Sequence, residues 1–99
     1  MIELKDKSFD DFIADGTTLV MMTTSWCPHC KQGIKRLEEM ESLYHIKTAK
    51  IDVQANTKTL MRYAPNGMPY FILFENGEQV LRHKGTSMDV FKEYLNDRD

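Results

Sequence analysis

Cys27 and Cys30 are the only two cysteines in a chain of 99 residues, and they stand three positions apart. A disulfide scaffold in so short a chain needs more pairs. A bond across this spacing closes a tiny loop and removes little entropy from the unfolded chain, so stapling is a poor use for it. A metal site or a reactive dithiol remains. A lone Cys-x-x-Cys is half a zinc site, and His29, His45 and His83 are not at paired ligand spacing. Two cysteines packed as small apolar groups fit badly in a strand-to-helix turn that also carries Trp26 and Pro28. Thiol-disulfide exchange is the chemistry that fits the pair best.

The elements around the pair give it a direction. Thr18 to Thr24 is β-branched and apolar without polar alternation, which predicts a central strand covered on both faces. After the cysteines, Ile34, Leu37, Met40, Leu43 and Tyr44 form the stripe of an amphipathic helix of about fifteen residues. Cys27 is therefore expected at a helix N-terminus, where free backbone N–H groups and the macrodipole favour its thiolate. Pro28 suits a first helical turn. Cys30, one turn on, is expected to be more buried and to act as the resolving thiol.

Elsewhere, periodicity predicts a helix from Ser8 to Ala14, capped through Ser8 and Asp11 and stopped by Gly16. A strand from Ile46 to Val53 follows, then a short helix from Thr57 to Tyr63 ended by Ala64-Pro65-Asn66-Gly67. Tyr70 to Phe74 and Gln79 to His83 read as a hairpin across Asn76-Gly77. The last helix runs from Ser87 to Asn96, with Thr86 and Asp89 at capping-box spacing. Ile2 to Lys5 is expected as a short edge strand. The order (β)αβαβαββα is that of an α/β fold with a mixed sheet and helices on both faces.

Thirteen basic and fifteen acidic side chains leave a net charge of −2, which provides no field for nucleic acid or anionic membrane. Hydrophobic residues at 41% and charged residues at 28% exclude disordered and fibrous classes. The longest apolar runs, Leu19–Met22 and Tyr70–Phe74, are too short to span a bilayer, and no targeting segment is visible. With Met1 as the native start, a cytoplasmic protein is expected.

The sequence resembles the thioredoxin family along essentially its whole length. The matching residues are Trp26-Cys27-Pro28-His29-Cys30-Lys31, Lys50-Ile51-Asp52, Gly67-Met68-Pro69, the Phe74 to Glu78 hairpin, and Gly85 before the last helix. The resemblance implies one thioredoxin-like domain over residues 1–99, a three-layer α/β/α fold with four to five strands and four helices. It implies a thiol-disulfide oxidoreductase, mainly a reductase, in which Cys27 attacks and Cys30 resolves, with no cofactor. It also implies a cis bond before Pro69 and a substrate lip of Trp26, Pro28, Met68, Pro69, Gly85 and Thr86. The implied partners are disulfide-containing protein substrates and an electron donor such as thioredoxin reductase or glutathione, with the protein a monomer.

Three departures qualify the resemblance. Met21 stands where the family has a buried Asp six residues before the first cysteine, so the acid that normally accompanies Lys50 is gone. Lys35 replaces a helix proline, which predicts a less kinked helix. Pro28 and His29 replace the usual Gly-Pro, as in periplasmic disulfide oxidases. An imidazole beside the helix start favours the Cys27 thiolate, so these two residues are expected to tune the potential above the roughly −270 mV of ordinary thioredoxin. The alternatives are a glutaredoxin-like glutathione-dependent reductase, a more oxidising oxidase or isomerase, and a redox-inactive adaptor. Against the glutaredoxin reading, Gly67-Met68-Pro69 is not Thr-Val-Pro and the last helix lacks a Gly-Gly start.

Overall fold

In the computed structural model, which describes residues Met1–Arg98, the chain alternates strands and helices as the sequence periodicity predicts. The strands are β1 (Ile2–Glu3), β2 (Thr17–Thr23), β3 (Lys47–Asp52), β4 (Tyr70–Glu75) and β5 (Glu78–Lys84). The helices are α1 (Asp6–Ile13), α2 (Cys30–Tyr44), α3 (Thr57–Tyr63) and α4 (Asp89–Asp97). The five strands form one sheet in the order β1-β3-β2-β4-β5. β2 runs parallel to β3 and antiparallel to β4, and β4 to β5 is the hairpin. Asn76 and Gly77 both adopt positive φ, 50° and 87°, the backbone that a two-residue hairpin turn of this twist requires.

Strand β2 explains why its sequence lacks polar alternation. Val20 and Met22 face one core with Phe9, Ile13, Ile51, Ile72 and Phe74. Leu19 and Met21 face a second core with Leu37, Met40, Phe71, Leu73 and Phe91. Each face of the sheet is covered, so Leu19 to Met22 are all apolar and fully buried. Stripes on α1 and α3 close the first core, and those on α2 and α4 close the second.

Helix boundaries differ from the sequence expectation at three N-termini. α1 starts at Asp6, so Ser8 is not the cap but lies within the first turn, where its Oγ accepts from the Lys5 amide at 3.0 Å. α4 starts at Asp89, and neither Thr86 nor Asp89 closes a capping box. Instead Ser87 Oγ accepts weakly from the Asp89 amide at 3.4 Å. α2 starts at Cys30 rather than at Cys27. It then runs unbroken for 15 residues past Lys35 and ends at His45, whose φ of 55° places its amide on the Glu41 carbonyl at 2.9 Å. His83 packs edge-on against Phe91, with ring centroids 6.5 Å apart.

One cap was not legible in local sequence. The Asp6 carboxylate, 53 positions from Thr59, accepts from the Thr59 amide at 2.9 Å and the Thr59 hydroxyl at 2.7 Å. It also accepts from the Lys58 amide at 3.2 Å, so the first turn of α3 is capped from α1. Burial pushes the Asp6 carboxyl up, but these hydrogen bonds and the Lys58 charge outweigh it and hold the group below its ordinary value. Asn56 fixes the junction, accepting from the Asp6 amide at 2.9 Å and donating to the Asp52 carbonyl at 2.8 Å.

Candidate active site

Strand β2 ends at Thr23, and the segment from Thr24 to His29 carries the chain to α2. Cys27 and Cys30 are bonded to one another across this turn, with Cα atoms 5.5 Å apart. Cys30 is the first helical residue and is buried, at 9% exposure, whereas Cys27 is half-buried. This asymmetry is the one expected from position. Cys27 lies three residues before the first helical residue, so it faces the helix start from outside. Pro28 correspondingly sits in the turn and not in the first helical turn. His29 is the residue that flanks the helix, with its carbonyl accepting from the Gly33 amide at 3.0 Å.

Trp26, Pro28 and His29 are exposed, and Trp26 keeps 64% of its surface in solvent, which removes core packing as the reason for it. Met68 is half-buried and packs against the first core, so it serves the core and still presents surface. The Met68–Pro69 bond is cis, as the resemblance implies. Pro69 is buried, and its carbonyl accepts from the Gly85 amide at 2.9 Å, which joins the Met68–Pro69 turn to the end of β5. Gly85 has φ of 97°, and a side chain built there would meet nothing within 4 Å, so the space above it is open. Thr86 follows, half-buried, but caps no helix.

Gly33 brings the turn and the helix together. A Cβ at this position would lie 2.6 Å from Met21 Sδ, 3.4 Å from Pro69 Cγ and 3.5 Å from Phe71 Cζ. Met21 is fully buried and pairs in register with Phe71 on one side and Lys50 on the other. The position that would hold a family acid is therefore filled by a thioether packed under the helix one turn beyond Cys30. Lys50 is half-buried beside it and forms no ion pair among the described residues.

Sequence reasoning missed two residues of this site, Gly33 and Gln54. The Gln54 carbonyl oxygen accepts from both the Ser25 amide at 3.1 Å and the Ser25 hydroxyl at 2.9 Å, directly before Trp26-Cys27. A glutamine in a polar connection carries no motif, and only the parallel pairing of β2 and β3 brings it beside Ser25. Gly33 was detectable as a glycine on the buried stripe of a helix, where it costs stability unless a neighbour approaches closely.

The comparisons agree with this geometry. The thioredoxin family model matches residues 1–97. The chain is 34% identical over 83 residues to a thioredoxin of Chlamydia pneumoniae, covering 83% of this chain and 81% of that one. It is 34% identical over 82 residues to a thioredoxin of Staphylococcus saprophyticus, covering 81% and 79%. Among solved structures, thioredoxin f2 of Chlamydomonas reinhardtii superposes with a TM-score of 0.85 at 23% identity, over 97% of this chain and 94% of that one. The thioredoxin of Plasmodium falciparum gives 0.85 at 22% identity over the whole of both chains. A dithiol pair at a strand-to-helix turn on this sheet, with family similarity over nearly every residue, identifies the chain as a member of the thioredoxin family, a thiol-disulfide oxidoreductase that acts on protein disulfides, mainly as a reductase.

Proposed function

We propose that Cys27 is the attacking thiol and Cys30 the resolving thiol. The observation that carries this assignment is the difference in exposure across the bonded pair, half-buried against 9%. Cys27 thiolate attacks one sulfur of a substrate disulfide, forming a mixed disulfide and expelling the other sulfur as a thiolate. Cys30, deprotonated, then attacks Cys27 Sγ, releases the second substrate thiol and leaves the Cys27–Cys30 bond. Each turnover moves two electrons from protein to substrate.

In this reading Trp26, Pro28, Met68, Pro69, Gly85 and Thr86 form the lip that receives an extended substrate segment. The open space above Gly85 and the exposure of Trp26 support it. Pro28 and His29 tune the potential from the solvent side of the turn. The whole of residues 1–99 acts as one domain, monomeric and cytoplasmic, in a compartment that keeps dithiols reduced. Thioredoxin reductase is the donor that this reading favours over glutathione, because Gly67-Met68-Pro69 does not carry the glutaredoxin pattern.

The test is trapping during reduction of insulin coupled to a thioredoxin reductase. Cys30→Ser is expected to accumulate a covalent adduct with substrate, and Cys27→Ser to accumulate none and to lose turnover. Turnover retained by both single variants sinks the dithiol mechanism. Efficient turnover of a small glutathione mixed disulfide, with none through the reductase, transfers the protein to the glutathione-dependent alternative.

A further inference from the structure

We propose that Gln54 is a positioning residue for the attack step, holding the turn that presents Cys27, and that it does so chiefly in the dithiol form. The inference rests on the assignment of Cys27 as the attacking thiol. The turn has little to hold it from within. The Cys27 amide donates to the Thr24 carbonyl at 3.3 Å, a long bond. The Ser25 amide and hydroxyl both donate to a single atom outside the turn, Gln54 Oε1, at 3.1 and 2.9 Å.

Gln54 is itself well mounted. Its amide donates to Asp52 Oδ1 at 2.9 Å. The Asp52 carbonyl accepts from buried Asn56, and the Val53 amide donates to the Thr23 carbonyl at 3.0 Å. The end of β3 is thereby fixed to the end of β2, and Gln54 reaches from that fixed edge to Ser25. Asn56 in turn accepts from Asp6. The support for the turn is thus a connected set of polar contacts running back to the start of α1.

The redox dependence follows from what else holds the turn. In the oxidised protein the Cys27–Cys30 bond ties Cys27 to the first residue of α2, so losing Gln54 frees little. Reduction adds two electrons and two protons, breaks that sulfur–sulfur bond and removes the tie. Gln54 is then the principal restraint on Ser25-Trp26-Cys27. Gln54 and the disulfide order the same turn, so by ordering it in the dithiol Gln54 removes part of the entropy that closing the bond would otherwise cost, which favours the disulfide and lowers the reduction potential. It also holds Cys27 Sγ close to its attacking position, so less order has to be imposed when substrate arrives.

Gln54→Ala tests this. Loss of both hydrogen bonds at an exposed site is expected to lower kcat/KM for insulin reduction about five-fold. A five-fold shift of the dithiol–disulfide equilibrium toward the dithiol corresponds to a potential about 20 mV higher, since tenfold is about 30 mV for a two-electron couple. The melting temperature of the oxidised form is expected to fall more than that of the reduced form, because the reduced turn relaxes when the contact is lost and recovers entropy. Ser25→Ala, which leaves the amide donor in place, is expected to lose about two-fold, and the double variant no more than Gln54→Ala alone.

Equal losses of melting temperature in both redox forms, with an unchanged potential, would make Gln54 merely structural and overturn the proposal. Full additivity of the two substitutions would overturn it as well. Both results leave Cys27 as the attacking thiol if Cys27→Ser is inactive. If Cys27→Ser still turns over, the reading beneath the proposal fails, and the proposal falls with it.

Discussion

Gly33→Ala decides how tightly α2 is seated on the sheet. In an ordinary helix interior this change is favourable, because alanine gains about 1 kcal/mol over glycine in helix propensity. Here the added methyl would stand 2.6 Å from Met21 Sδ, inside any real carbon–sulfur contact, with Pro69 at 3.4 Å and Phe71 at 3.5 Å closing the other directions. Met21 has 0% exposure, and so has Phe71, so the thioether has no solvent to swing into. Forcing a methyl into such a place costs about 1–3 kcal/mol. Setting the propensity gain against the middle of that range leaves a net loss of about 1 kcal/mol, or a melting temperature lower by about 4–8 °C for a domain of this size.

The assay is urea and thermal unfolding of the oxidised protein, with the same substitution repeated in a Met21→Val background. Valine lacks the sulfur and terminal methyl, so the obstruction is removed at a cost of about 1–2 kcal/mol for the lost packing. In that background Gly33→Ala is expected to become neutral or stabilising, giving a coupling of about 1 kcal/mol or more between positions 21 and 33. A Gly33→Ala protein about 1 kcal/mol more stable than wild type, with no coupling to Met21, would refute the close approach of helix and sheet.

Two further outcomes follow from charge. Asp6 and Glu75 both have carboxyls held below their ordinary range, Glu75 by hydrogen bonds from Tyr94 and Thr17 and by the Arg98 charge, against an opposing effect of burial. A depressed folded value gives stability that is present above the unfolded value of about 4 and is lost as pH falls through the folded value. The urea midpoint is therefore expected to drop on acidification from about pH 5, and less steeply in Asp6→Asn; equal slopes count against the α3 cap. Met21→Asp places a carboxyl where exposure is 0%, so desolvation raises its folded value and the variant loses stability relative to wild type as pH rises above about 4. At pH 7 the loss is expected to reach at least about 2 kcal/mol, and a variant as stable at pH 7 as at pH 4 would show the site to be wetter than the packing indicates.

Much of the fold was legible because each strong signal had one physical meaning. The continuous apolar run of β2 could only be a strand covered on both faces, and Asn76-Gly77 between two apolar runs could only be a tight hairpin. The helix starts were misread because capping signatures are local and the chain satisfied its helix ends otherwise. The first turn of α3 takes its cap from Asp6, 53 positions from Thr59, and no window of sequence contains that pairing. The same limit hid Gln54. The cysteines announced themselves by spacing and neighbours, whereas the residue that braces their turn is an unremarkable amide on another strand's end. Pro28 was placed one turn too deep because proline fits a first helical turn, but α2 begins only at Cys30.

Met21 and Gly33 are best understood as one feature. A carboxylate under α2 would need a partner or water beside it, and Lys50 stands in register at the neighbouring position of β3. A thioether in its place needs neither, but it is long and apolar and projects toward the helix. The chain accommodates it with a glycine at the position of α2 that faces it, so the helix packs directly over the sulfur. Pro69 borders the same spot, and its carbonyl holds Gly85. The result is a column of buried apolar groups running from β2 through α2 to the Met68–Pro69 turn. If Cys30 resolves as proposed, no acid in that column takes its proton, and water, His29 or the Cys27 sulfur has to do so.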